Sequence, residues 1–125
     1  MFEELANNRV MVTGATGLIG QTLVNRLLSL NCKVVAVVRS IDKAKDLFGD
    51  GEEIAYIVSD VTELEVKEYE IDYIIHAASN TSSKVFINNP VGVINTAIDG
   101  TRRTLEIARL SNVKEIGRAS CRERV

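Results

Sequence analysis

The stretch Thr13-Gly14-Ala15-Thr16-Gly17-Leu18-Ile19-Gly20 spaces three glycines as G-x-x-G-x-x-G between two apolar segments. Before it, residues 9–13 (RVMVT) suit a short buried strand. After it, Leu18, Ile19, Leu23, Val24, Leu27 and Leu28 recur at helical spacing, and Asn31 stands where a helix would be capped. A glycine turn between a strand and a helix is built to take phosphate. Gly14 permits the tight turn. Gly17 removes a side chain where a pyrophosphate would approach the backbone, and Gly20 lets the helix pack closely on the sheet. The N-terminus of the helix adds free N–H groups and a positive dipole end. The competing reading is a tight loop with no ligand.

Outward from this stretch the chain alternates strands and helices. Residues 33–38 (KVVAVV) are nearly all β-branched, as in a strand buried on both faces of a parallel sheet. Ser40 can cap a short helix through Phe48, with Asp42 in its first turn. Residues 53–58 and 72–76 read as strands three and four, and Pro90 starts a long helical pattern that ends near Asn112. The pattern predicts a parallel sheet of right-handed crossovers in the order 3-2-1-4. A fifth strand begins at Val113, but residues 115–125 (EIGRASCRERV) lack strand alternation and are rich in arginine. That string resembles the in-frame translation of a common synthetic sequencing adapter, and the competing reading is a natural basic tail. The expectation is therefore an artefactual tail over 115–125 and a sheet truncated after strand four.

The composition bounds the function. The chain has 125 residues, enough for one modest domain, with 46% apolar and 26% charged residues. Its net charge of −2, without a basic block, argues against nucleic acid as the main partner. No apolar run approaches a membrane span. Met1-Phe2-Glu3-Glu4 has no basic n-region, so no signal peptide is expected. Cys32 and Cys121 offer neither a disulfide framework nor metal-ligand spacing, and no metal is expected. These features fit a cytoplasmic location.

The motif TGATGLIG, Asp60-Val61 after strand three and His76-Ala77-Ala78-Ser79 after strand four together resemble the extended short-chain dehydrogenase/reductase family, the NAD-dependent epimerases and dehydratases. The resemblance covers residues 9–114, and it implies an α/β, Rossmann-like doubly wound sheet. Residues 1–114 would then be the N-terminal part of an NAD(P)-binding domain. The cofactor contacts it implies are Gly14, Thr16, Gly17, Leu18, Ile19 and Gly20 at the turn, Arg39 after strand two, Asp60 and Val61, and Ala77, Ala78 and Ser79. By resemblance, Asp60 accepts from the adenine amino group, the Val61 backbone frames the ring, and Ala77 and Ala78 line the floor under the nicotinamide-side ribose. The plainer readings are a turn-forming Asp60 and simple strand-end packing at the alanines. Residues 79–83 (SNTSS) would approach the substrate, or only cap the next helix. His76 reads as a strand-end residue rather than a catalytic group.

Arg39 departs from the NAD pattern, in which an acidic side chain ends strand two. A guanidinium suits the 2′-phosphate of NADP, or stacks on adenine, or is simply solvated. The family's habit is NAD. Family members also carry Asn three residues before a Gly-Thr pair; Ala97 stands there before Gly100-Thr101, with Asn95 two positions earlier. The family's catalytic Tyr-x-x-x-Lys is missing: the fourth residue after Tyr56 is Asp60, after Tyr69 is Tyr73, and after Tyr73 is Ala77. No catalytic residue is assigned, and the fragment is expected to be inactive. For the intact parent the resemblance implies a homodimeric nucleotide-sugar epimerase, dehydratase or decarboxylase. The alternatives are a carbonyl reductase of the same family and a non-catalytic dinucleotide-binding protein.

Overall fold

A computed structural model describes residues 7–78 and 88–118. The elements run β1 (Arg9–Thr13), α1 (Leu18–Ser29), β2 (Lys33–Val38), α2 (Ile41–Phe48), β3 (Ile54–Val58), β4 (Tyr73–His76), α3 (Pro90–Ser111) and β5 (Glu115–Arg118). All strand pairs are parallel, in the order β3-β2-β1-β4-β5. The expected order 3-2-1-4 holds, with β1 at the centre.

The sheet buries both faces, which is why its inner strands read as unbroken apolar runs. Val10 and Val12 of β1 point to one face, where they meet Val24 and Leu27 of α1 and Ala44 of α2. Met11 points to the other, with Ile74 of β4, Leu64 and Ile107 of α3. Local chemistry closes the helices. Ser40 accepts a hydrogen bond from the Lys43 N–H at the start of α2. Asn31, one residue past the C-cap of α1, takes a left-handed φ of 63°. Asn89 caps α3, with Pro90 in its first turn.

The expectation of a sheet truncated after strand four is corrected. Glu115–Arg118 pairs with β4, from Tyr73↔Glu115 to His76↔Arg118. Every residue of β5 is exposed. The segment joins the sheet through its backbone ladder, which needs no alternation of side chains, and for that reason its sequence carries no strand pattern.

Candidate dinucleotide site

The carboxyl ends of β1, β2, β3 and β4 open into a groove of about 200 Å³. It lies where the crossovers diverge to the two sides of β1, the usual ligand position in an open α/β sheet. Gly14, Thr16, Gly17, Arg39, Asp60, Val61, Ala77 and Ala78 all line it. Leu18, Ile19 and Gly20 form the first turn of α1 beside it rather than its lining. Ser79, like the rest of residues 79–83, lies outside the described residues. Val37, Val38 and Ser59 also line the groove and were missed by sequence reasoning. Their signal was position: each stands at or just beyond the carboxyl end of a strand. A larger hollow of about 490 Å³ sits at the opposite end of the strands, with Arg9, Lys33, Glu53 and Tyr69 in its wall.

The glycine turn is shaped by close approach. Gly14 has φ +65°, a left-handed backbone that favours glycine, and a Cβ there would lie 2.7 Å from the N and Cα of Ala78. At Gly20 a Cβ would run into the Gly14 carbonyl oxygen. Gly20 thus seats α1 against the turn itself, not against the sheet as expected. The α1 N-terminus has no side-chain cap and no acidic residue in its first turn. Its N–H groups and its positive end therefore keep their capacity for an anion.

Asp60 does form a turn. Its Oδ1 accepts from the Thr62 N–H at 3.0 Å and from the Thr62 hydroxyl at 2.8 Å, which leaves Oδ2 for another donor. The Thr62 N–H, above all, holds the carboxyl below its ordinary range against the opposing effect of burial; the Thr62 hydroxyl and the Arg39 charge help. Arg39 is exposed at the rim, so its guanidinium is accessible.

At the other end of the groove, Thr13 Oγ1 accepts from the N–H groups of Ala77 at 3.1 Å and Ala78 at 3.3 Å, and lies 2.6 Å from Nδ1 of His76. Burial, with a contribution from the Arg118 charge, pushes the His76 imidazole below its ordinary value of 6.5. Tyr56 and Tyr69 donate to backbone carbonyls, and burial raises both phenols, the opposite of what a phenolate base needs.

A sequence profile of the NAD dependent epimerase/dehydratase family matches residues 10–123. The chain belongs to that family. It is 30% identical over 115 residues to a UDP-glucose 4-epimerase of Mycolicibacterium smegmatis, covering 86% of this chain and 37% of that protein. Among solved structures, an epimerase of Methanothermobacter thermautotrophicus superposes with a TM-score of 0.83 at 23% identity, over 95% of this chain and 37% of the other. The yeast methylglyoxal/isovaleraldehyde reductase Gre2, complexed with NADPH, gives 0.70 at 25%, over 90% and 36%. The chain therefore spans little more than a third of the length of the relatives it matches. Among the described residues, no helix is long and apolar enough to cross a membrane.

Proposed function

We propose that the chain is the cofactor-binding front of a larger NAD(P)-dependent enzyme acting on a nucleotide sugar as an epimerase, dehydratase or decarboxylase. The observation that carries this reading is the groove, which gathers Gly14, Gly17, Arg39, Asp60, Ala77 and Ala78 from four strand ends. The residues fit a dinucleotide in linear order. Asp60 Oδ2 accepts from the adenine amino group beside Val61. The Gly14–Gly17 turn and the α1 N-terminus take the pyrophosphate, and Ala77 and Ala78 admit the second ribose closely. A bound nicotinamide would supply hydride exchange at a sugar carbon. The proton-transferring residues would lie in the rest of the parent, and the 125-residue chain alone is proposed to be inactive. The parent is proposed to be cytoplasmic and homodimeric.

A second reading, an NADPH-dependent carbonyl reductase, is favoured by Arg39. Its guanidinium is accessible at the groove rim, where a 2′-phosphate could accept from it. Titrating the chain with NADH and NADPH, read by nicotinamide fluorescence, tests both readings. Binding of either supports the cofactor reading, tighter NADPH supports the second, and binding of neither rejects both.

We also propose that residues 115–125 are translated adapter rather than natural polypeptide. The wholly exposed β5 supports this, since a strand next to β4 in a complete sheet of this kind is covered on both faces. Sequencing the source gene past the Lys114 codon decides it.

A further inference from the structure

Among the described residues, the buried polar side chains are Thr13, His76 and Thr104, at 0%, 5% and 1% exposure. They form one cluster. Thr104 Oγ1 donates to the Gly100 carbonyl at 2.7 Å, so its proton is spent, and it faces His76 Nδ1 only at 3.5 Å. Thr13 Oγ1 accepts from the Ala78 N–H and from the Ala77 N–H, the latter shared with the Thr13 carbonyl oxygen at 3.1 Å, and the two fill its lone pairs. Its one proton is left for the 2.6 Å contact with His76 Nδ1. Nδ1 must then be the acceptor, and the ring proton sits on Nε2, toward Thr101 Oγ1 at 3.5 Å.

From this proton count we infer that His76 is a positioning residue: as the Nε2–H tautomer it takes the Thr13 hydroxyl proton and so fixes that oxygen as a double acceptor for the Ala77 and Ala78 backbone. The consequence is a latch between the end of β1 and the end of β4. Gly14, the next residue after Thr13, touches Ala78 so closely that no Cβ fits between them. The latch therefore sets the spacing between the phosphate turn and the small-residue floor. A Thr13 hydroxyl turned the other way would present its proton to the amide donors and release one of them. His76 itself does not line the groove. Its role in ligand binding rests on the cofactor reading above; its role in holding the backbone does not.

Three measurements on the full chain separate these. Long-range proton–nitrogen NMR reads the imidazole tautomer directly, and Nε2–H is expected; an Nδ1–H tautomer overturns the inference without any variant. Amide hydrogen exchange then compares Thr13→Val and His76→Leu with the conservative Thr13→Ser and His76→Asn. The first pair should speed exchange at Ala78 by about tenfold, the scale of one lost hydrogen bond, with Ala77, which keeps the Thr13 carbonyl, changing less and Ile74 and Ile75 unchanged. The second pair should restore protection. Unchanged protection at Ala78, or equal loss along all of β4, overturns the latch. Titration with NADH adds the functional arm. If the parent chain binds NADH, Thr13→Val should bind it about tenfold more weakly and Thr13→Ser nearly as well. Equal binding by Thr13→Val rejects the positioning role. If the parent chain binds neither NADH nor NADPH, the cofactor reading and the positioning role both fall, while tautomer and exchange still decide the backbone latch.

Discussion

Gly100 of α3 lies directly against Val61: a methyl at Gly100 would come within 2.9 Å of Val61 Cγ1. One turn further along the helix, Arg103 Nη1 donates to the Leu64 carbonyl at 3.0 Å. The long helix thus supports the Asp60–Val61 side of the groove. Gly100→Ala gains about 1 kcal/mol of helix propensity and meets an overpacking cost of about 1–3 kcal/mol. The balance is a net cost of about 0–2 kcal/mol, so the thermal midpoint should fall while that side of the groove shifts. Calorimetry with ADP-ribose should show several-fold weaker binding; unchanged affinity would mean that Val61 swings aside at no cost to the site.

If Arg39 holds the 2′-phosphate, Arg39→Ala should weaken NADP far more than NAD. A charge-assisted hydrogen bond to the 2′-phosphate is worth on the order of 1.5–3 kcal/mol, roughly ten- to over a hundredfold in affinity. Paired titrations with the two cofactors measure it. Equal weakening of both would point to stacking on adenine, and no change would leave Arg39 as a solvated surface charge.

Acid should destabilise the chain first through His76. Its imidazole lies below its ordinary value of 6.5 in the fold because it is buried and faces Arg118 on β5; the other groups around it, Thr13, Thr101 and Thr104, are uncharged. The unfolded chain takes up this proton near 6.5 and the folded chain only at lower pH. Stability from the neutral ring is thus fully present above 6.5, and it is lost as pH falls from there through the folded value. Asp60, also lowered, acts further down, below its ordinary 3.8. Urea melts between pH 7 and 5 should show this slope in the parent chain and not in His76→Asn. A slope that persists in the variant would assign it to other groups.

The outward face of α3 exposes Val91, Ile94, Ile98 and Leu105, each more than half accessible. A patch of this kind on an isolated chain favours self-association. Ile94→Lys combined with Ile98→Glu should raise the monomer fraction in sedimentation velocity and change the thermal midpoint by no more than surface substitutions usually do, about 0.5 kcal/mol each. A large fall in midpoint would show that these side chains carry packing within the chain.

The parts of the fold that declared themselves in sequence are those with a local cause. The glycine turn, the Ser40 cap, the Pro90 start and the β-branched run of β2 each follow from the steric or hydrogen-bonding character of a few adjacent residues. Arg39, Asp60 and Ala77 were legible for the same reason, since each follows the end of a strand. What escaped has causes that lie across the chain. The Thr13–His76 contact joins residues 63 positions apart, and neither side chain alone signals a partner. Gly20 was assigned to the sheet because spacing cannot show that its neighbour is the Gly14 carbonyl. Glu115–Arg118 gave no strand signal because an edge strand with every side chain in water leaves none to read.

The central place of β1 also sets an order of events. β1 precedes β2, β3 and β4 in the chain, yet it is bracketed by β2 and β4, and its partner in β4 at Thr13 is His76. Parallel pairing over such a span is slow, because loop-closure entropy is lost before the contacts reward it. The glycine turn after β1 therefore stays unfinished until β4 has been made. A nascent chain completes the groove only after β4 has docked. Any ligand that fits the finished turn then draws the population toward the folded state by mass action, so that supply of the small molecule would govern how much of the protein matures.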